Sequence, residues 1–146
     1  GLFTQIIQAV GDDWLRELGR AVRNKDGLDA ILAATDAHYH FVQQAADRIR
    51  AFYILWFDSI GPDAALKTVI ANVHERRRRD VERWITSGIE AGNVRTDANA
   101  RTIAEQFCAS IIGIVYQWLV APDARDHIHD LHEGLKRQMI GALAPV

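Results

Sequence analysis

The chain has 146 residues, of which 49% are hydrophobic and 25% charged, so it is long and apolar enough for one globular domain and is not a disordered segment. Its formal net charge of −2 argues against a chain that binds nucleic acid on its own, because neutralised phosphates supply most of that affinity. The single cysteine excludes an internal disulfide, no apolar run approaches the ~20 residues of a membrane span, and the N-terminus does not read as a signal peptide, so we expect a cytoplasmic protein.

Apolar residues recur at every third or fourth position along the chain, and strict alternation is absent. This periodicity predicts an all-α protein. Six helices are predicted, close to the ranges Leu2–Val22, Leu28–Gln44, Asp47–Ile60, Pro62–Ala91, Ala100–Val120 and Asp126–Leu143. The first carries an apolar stripe that includes Phe3, Trp14, Leu15 and Leu18. The second is apolar on two faces, which predicts that it is the central helix.

Four residues mark predicted helix ends. Pro62 suits the first position of the fourth helix, where its missing N–H costs nothing. Gly92 suits the left-handed position after the last turn of that helix, and Asn99 suits the N-cap of the fifth. Pro122 ends the fifth helix. The residues between Gly92 and Asn99 are therefore predicted to form a compact corner.

The stretch WITSGIEAGNVRTDANARTIAEQFCASIIGIVYQWL resembles the regulatory domain of TetR-family transcriptional regulators. In that family a long helix ends in a G-x-x-x-G-x-[hydrophobic]-R-x-D run, and an alanine-rich apolar helix with a W-L near its end follows. The matching residues here are Gly88, Gly92, Val94, Arg95, Asp97, Ala104, Trp118 and Leu119. The start Gly1-Leu2-Phe3 is similar to the end of the K-[DE]-[GA]-L-[FL] segment through which family members leave their DNA-binding helices.

The resemblance implies a six-helix TetR-like regulatory domain over residues 1–146, which binds a ligand and forms a homodimer. The last two helices would pair with their copies in a four-helix bundle. The effector would be a small, largely apolar molecule, and the full protein a transcriptional regulator, with a repressor as the expected form. The N-terminal helix-turn-helix domain of the family is absent from this chain, so operator DNA would be contacted only through that domain.

Aromatic residues crowd the third, fourth and fifth helices. Large rings from several helices leave gaps, and in a regulator of this family such gaps become the ligand cavity, although plain core packing is the alternative for most of them. On the central helix, His38 or Tyr39 could supply a polar group in such a cavity, or each could be satisfied within the core. The predicted ligand-binding residues are His38, Tyr39, Phe52, Trp56, His74, Arg77, Trp84, Phe107 and Ile111.

Four consecutive arginines, 76–79, lie on the fourth predicted helix. Successive helical residues spread around the axis, so the four arginines cannot form one stripe. The nearby Glu75, Asp80 and Glu82 stand at sequence spacings that suit ion pairs with them, so we expect a solvated helix face and not a nucleic-acid patch. Arg77 differs because it falls in line with the apolar stripe, where an unpaired guanidinium is costly. We expect Arg77 either to extend along the core edge with its charge in solvent or to meet an acid inside. Asp36 on the central helix is a candidate partner and an anionic ligand is another, with the internal ion pair preferred.

The fifth helix combines apolar stripes with a milder face of small and neutral residues, which would let another helix approach closely. The sixth is also apolar on more than one side. The predicted dimer interface comprises Gln106, Ser110, Gly113, Ile114, Gln117, Leu131, Leu135, Gln138 and Met139.

Three histidines on the sixth predicted helix, His127, His129 and His132, permit a surface metal site but lack a motif such as H-E-x-x-H, so exposure and helix capping are expected instead. Cys108 is expected to be a small buried hydrophobe. No catalytic motif, cofactor or metal is predicted, and the chain is not expected to be an enzyme. Two other hypotheses stay open: a stand-alone interaction module that binds a partner helix in an aromatic groove, and a small helical enzyme or metal protein that uses the histidines.

Overall fold

The computed structural model describes residues 1–121 and 123–146. Its helices are α1 (Leu2–Val22), α2 (Gly27–Gln44), α3 (Ala46–Asp58), α4 (Ala64–Ala91), α5 (Ala100–Val120) and α6 (Arg125–Leu143). Within these described ranges every regular element is a helix, which confirms the all-α prediction. The predicted helix stop at Pro122 and the predicted apolar side chain of Phe3 lie outside what the structure describes.

Helix α2 is the central helix, as its two apolar faces predict. It packs against α1, α3, α4 and α6, while α4 and α6 also pack against α5. Ala30 and Ile31 of α2 are fully buried, and Ala34 is nearly so. The small alanines let neighbouring helices approach closely, and this arrangement places one face of α2 towards α6 and another towards α1 and α4.

The start of α4 differs from the prediction. Pro62 is not its first residue: the helix begins at Ala64, with Asp63 as the N-cap. The Asp63 carboxylate accepts hydrogen bonds from the backbone N–H groups of Ala65 (2.9 Å) and Leu66 (3.3 Å). A carboxylate that satisfies two free N–H groups and suits the positive end of the helix dipole defines this helix start better than a proline does.

The corner between α4 and α5 forms as predicted. Gly92 has a φ of +86°, the left-handed conformation expected after a last helical turn. The Asn99 side chain accepts the backbone N–H of Thr102 at 3.1 Å and caps α5. Behind the corner, Gly88 packs directly on the Cα atom of Gly27 at the start of α2, an approach that leaves no room for a side chain at either position.

Arg95 joins this corner to the end of α6. Its backbone N–H donates to the carbonyl of Leu143 at 2.8 Å. Its guanidinium donates to the carbonyls of Ala144 and Gly141, each at 3.1 Å. Gly141 and Leu143 belong to the last turn of α6 and Ala144 is its C-cap. Carbonyls at this end of a helix lack an intrahelical partner, so Arg95 caps α6.

The expectation that no apolar run approaches the length of a membrane span is wrong for α5. Its 21 residues are long and apolar enough to cross a membrane by length and composition. A core helix of a soluble protein passes the same test, and Val115 and Trp118 of α5 pack within the core cluster here. No membrane assignment follows from this helix.

Candidate ligand-binding site

A cavity of about 390 Å³ lies between α1, α2, α3, α4 and α5. This volume is typical of small-molecule sites. Its aromatic lining consists of Trp14, Tyr53, Trp56, Phe57, Trp84 and Phe107. Its aliphatic and small residues are Leu15, Leu18, Ala34, Ile60, Ile70, Val81, Cys108, Ala109, Ile111 and Ile112, and its titratable side chains include His38, His74, Arg77 and Asp80. The wall is thus largely apolar, with a few polar groups that could orient a guest.

Seven of the nine predicted ligand-binding residues line this cavity: His38, Trp56, His74, Arg77, Trp84, Phe107 and Ile111. Tyr39 and Phe52 do not. Tyr39 follows His38, and successive helical residues point about 100° apart, so its ring instead lies against His129 and His132 of α6, at centroid distances of 5.0 and 5.3 Å. Phe52 packs within the core beside Tyr53, 4.9 Å away between centroids.

Three of the residues that sequence reasoning missed come from α1: Trp14, Leu15 and Leu18. The sequence did mark these residues as inward-facing, because all three belong to the apolar stripe of the first predicted helix. The stripe alone did not distinguish core packing from cavity lining, since that depends on which helix lies opposite.

Arg77 borders the cavity without the predicted partner. Its guanidinium carbon lies 5.8 Å from the centroid of the Trp56 ring, a cation–π arrangement. Asp36 instead pairs with Lys136 of α6 at 2.8 Å, so the predicted Arg77–Asp36 ion pair is wrong. Asp36 lies on the α6 side of α2, away from α4. No ion pair to Arg77 forms among the described residues, and its charge therefore remains available to a guest in the cavity.

The buried arginine of the run is Arg78, which is 5% exposed. Its guanidinium donates to Glu75 at 2.6 and 3.1 Å and also to Glu82. These hydrogen bonds lower the pKa of Glu75 to about 2 and raise the pKa of Arg78. The predicted solvated face holds at Arg76 and Arg79, which are exposed, but is wrong at Arg78 because that position turns inward.

Two buried histidines join α2 to α6. His38 Nδ1 lies 2.8 Å from His132 Nε2, and His132 Nδ1 lies 2.9 Å from the carbonyl oxygen of Ile128. The prediction that His132 is exposed is wrong: it is 1% exposed, because its helix face packs on α2. Burial lowers the pKa of both histidines, and for His38 the positive charges of His132 and Arg77 would lower it further, so both rings are neutral at pH 7.

These two hydrogen bonds fix where the ring protons lie. A carbonyl oxygen only accepts, so the proton of neutral His132 is on Nδ1 and its Nε2 is an acceptor. His38 must then donate from Nδ1, which leaves its Nε2 without a proton. The Nε2 atom of His38 is buried and has no hydrogen-bond partner among the described residues.

The other histidines of α6 lie at the surface. His127 is hydrogen-bonded to the Gln117 side chain at 3.2 Å, and His129 lies 3.7 Å from Glu133. Within the described part of the chain, no group of three or more His, Cys, Asp or Glu side chains is close enough to hold a metal ion.

Cys108 lies in the cavity wall, on α5, and is 9% exposed. Burial raises the pKa of its thiol to about 11. The expectation of a small, buried hydrophobe at this position is confirmed.

The predicted dimer residues fall into three groups. Gln106, Gln117 and Gln138 are exposed, Ser110, Gly113 and Leu131 are half-buried, and Ile114, Leu135 and Met139 are buried in the core of the single chain. The three residues of the last group pack into the hydrophobic core of the single chain, so they have little surface left for contact with a second copy. Between residues 106 and 120, α5 has no charged residue on any face, including the outer one.

Comparison with known proteins gave no match to a family model, to a curated protein or to a solved structure.

Proposed function

We propose that the chain is the ligand-sensing and dimerisation domain of a TetR-like transcriptional regulator, a repressor that responds to a small, largely apolar molecule. The observation that best supports this proposal is the apolar cavity of about 390 Å³ among helices α1, α2, α3, α4 and α5. Its wall consists mainly of rings and aliphatic groups, which suits a small, largely apolar guest.

The proposed mechanism is linkage between the cavity and the dimer. A ligand that binds one arrangement of the helices more tightly than another shifts the population by that difference in affinity. In the full-length regulator, a helix-turn-helix domain on each subunit would read operator half-sites about 34–36 Å apart. A change in the separation of the two domains would then change the affinity for DNA.

The outer face of α5 supports a dimer. It carries Tyr116 and Val120, which are 61% and 68% exposed, and it lacks charge over about four turns. Gly113 lies on the same face, and a Cβ atom there would meet nothing within 4 Å in the single chain. An exposed helix face with small, apolar and uncharged residues suits packing against the same face of a second copy.

Gly113→Glu is expected to convert a dimer into a monomer. In the single chain the new side chain has open space and replaces a poor helix former, so folding should be retained. In a two-fold interface it would place two carboxylates close together and block the approach of the helices. Light scattering after size-exclusion chromatography measures the mass, and circular dichroism checks the helix content.

Two controls accompany this experiment. Gly113→Ala should retain the dimer, and Gly19→Glu, at a similarly open glycine of α1, should not change the mass. A wild-type chain that is monomeric at micromolar concentration contradicts the dimer and favours the interaction-module hypothesis. A Gly113→Glu variant that stays dimeric moves the interface away from this face.

A thermal-shift screen of small, apolar compounds tests the cavity. A compound present at 100 times its Kd stabilises the native state by about 2.7 kcal/mol, which gives a clear rise in Tm. Ile70→Trp should abolish the shifts, since Ile70 lines the cavity and indole would fill part of it. The matched control is Val69→Trp, because Val69 neighbours Ile70 but is exposed and does not line the cavity. Shifts that survive Ile70→Trp place binding elsewhere.

Arg77→Leu tests whether the ligand is an acid. The guanidinium borders the cavity and has no ion pair among the described residues, so a carboxylate on the ligand would gain a charge-assisted contact. We expect acidic compounds to bind the variant about 10-fold more weakly, and neutral compounds about equally well. Isothermal titration calorimetry measures both. Acids that bind the variant as tightly as the wild type contradict this role of Arg77.

A further inference from the structure

One polar atom in the cavity region lacks a partner. His38 is 3% exposed and lines the cavity, and its Nε2 atom has no hydrogen-bond partner among the described residues. A buried acceptor of this kind is costly unless something outside the chain, a bound water or a ligand, donates to it.

The orientation of the ring indicates which side this atom faces. The Nδ1 edge points to His132 on α6, which does not line the cavity. Nε2 is the ring nitrogen that is not turned to His132, and Trp14, which lines the cavity, packs edge-on against the same imidazole with ring centroids 5.6 Å apart. Nε2 itself is closed to a water-sized group in the free chain, so a donor in the cavity reaches it only when a neighbouring side chain of the cavity wall, such as that of Trp14, moves aside.

The protonation state of the ring makes this position selective. A chain of two hydrogen bonds runs from the carbonyl of Ile128 through His132 to His38. This chain allows only one arrangement of protons on the two neutral rings, and that arrangement leaves His38 Nε2 as an acceptor. A ligand with a hydroxyl or N–H group can donate to it. An ether or ketone at the same place would face the histidine lone pair with its own lone pairs and would displace any water without replacing its hydrogen bond.

We infer that this site selects apolar, ring-containing ligands that carry a neutral hydrogen-bond donor, with His38 Nε2 as the acceptor that orients them. The inference rests on the ligand-sensing function proposed above and adds the chemical class of the ligand. His38 is thus a specificity-determining residue, and His132 is the residue that positions it.

Three matched probes test the inference: 2-naphthol, 2-methoxynaphthalene and naphthalene, titrated at pH 7.5 into the full chain by calorimetry. The first donates a hydrogen bond, the second only accepts, and the third does neither. We expect 2-naphthol to bind roughly 10-fold or more tightly than its methyl ether. In His38→Leu the difference between these two should fall to about threefold or less, because the acceptor is gone.

The outcomes separate this inference from the proposed function. If all three probes bind and 2-naphthol has no advantage, the cavity binds ligands but the role of His38 is overturned. If 2-naphthol keeps its advantage in His38→Leu, the donor is recognised elsewhere and the inference is also overturned. If none of the probes binds, both the inference and the proposed apolar ligand site are overturned.

A measurement on the wild type avoids dependence on the folding of His38→Leu. Nuclear magnetic resonance of the ¹⁵N-labelled imidazoles distinguishes a protonated ring nitrogen from a bare one. We expect His38 to be protonated on Nδ1 and bare on Nε2, and the Nε2 signal to shift with 2-naphthol but not with naphthalene. A proton on Nε2 in the free protein would overturn the inference.

Discussion

Replacing Gly88 with alanine is expected to lower the free energy of unfolding by about 3 kcal/mol, the upper part of the range for overpacked cores. A Cβ atom at this position would lie 2.6 Å from Val94 Cγ2 and 2.7 Å from Asn93 Oδ1, and closer still to the Cα atom of Gly27. The last contact is with backbone, which cannot rotate away as a side chain can. Helix α4 would have to move off the start of α2. Urea denaturation at 25 °C measures the change.

Gly19→Ala is the control for this experiment. Gly19 also lies inside a helix, but a Cβ atom there meets nothing within 4 Å. Alanine should therefore raise the free energy of unfolding by about 0.5–1 kcal/mol, since it is the better helix former. If Gly88→Ala is as stable as Gly19→Ala, the close approach of α4 to α2 is not tight enough to matter.

Acidification from pH 7.5 to pH 5 is expected to lower the free energy of unfolding by about 2–4 kcal/mol through the His38–His132 pair. Burial lowers the pKa of both rings in the folded chain, while in the unfolded chain they titrate near 6.5. The unfolded state therefore binds more protons as the pH falls below 6.5, and the stability present above that pH is lost. The charge of Arg77 also lowers the pKa of His38. Near His132, a charge on His129 lowers the pKa of His132, whereas the carboxylates of Asp36 and Glu133 raise it and so oppose part of the effect of burial.

His132→Gln should reduce this pH dependence. It removes one of the two buried titrating rings, so the slope of the unfolding free energy between pH 7 and pH 5 should fall by roughly half. His127→Gln is the matched control, because His127 is on the same helix but is exposed and is not among the groups that shift the pKa of His132, and the slope of this variant should equal that of the wild type. Chemical denaturation at several pH values gives the slopes. Equal slopes for the two variants would contradict the buried pair as the source.

The local features of this fold could be predicted from the sequence. The six helices follow from apolar periodicity, and the corner follows from the glycine at its start and the asparagine at its end. Gly92 and Asn99 act on backbone groups within four residues of themselves, so their roles do not depend on the rest of the fold. The start of α4 differs from the prediction because Pro62 and Asp63 are adjacent and both residue types favour a helix start.

The pairings between distant residues could not be predicted in the same way. The spacing of His132, four after Ile128 and three before Leu135, places it on the apolar stripe of α6 and could have indicated its burial. Its partner His38, 94 positions away, could not be predicted from the sequence. Asp36 forms an ion pair with Lys136 and not with Arg77, because it lies on the side of α2 that packs against α6. The sequence indicated that one arginine of the run would be unusual, but whether Arg77 or Arg78 turns inward depends on the rotation of α4 against its neighbours.

The thiol in the cavity wall has a chemical consequence. With a pKa of about 11, roughly one Cys108 in 10⁴ is ionised at pH 7, and only the ionised form attacks electrophiles or peroxides. The chain has no other cysteine. The domain should therefore be almost inert to alkylating agents and mild oxidants while it is folded, and the rate at which this sulfur is alkylated would report how often the fold opens.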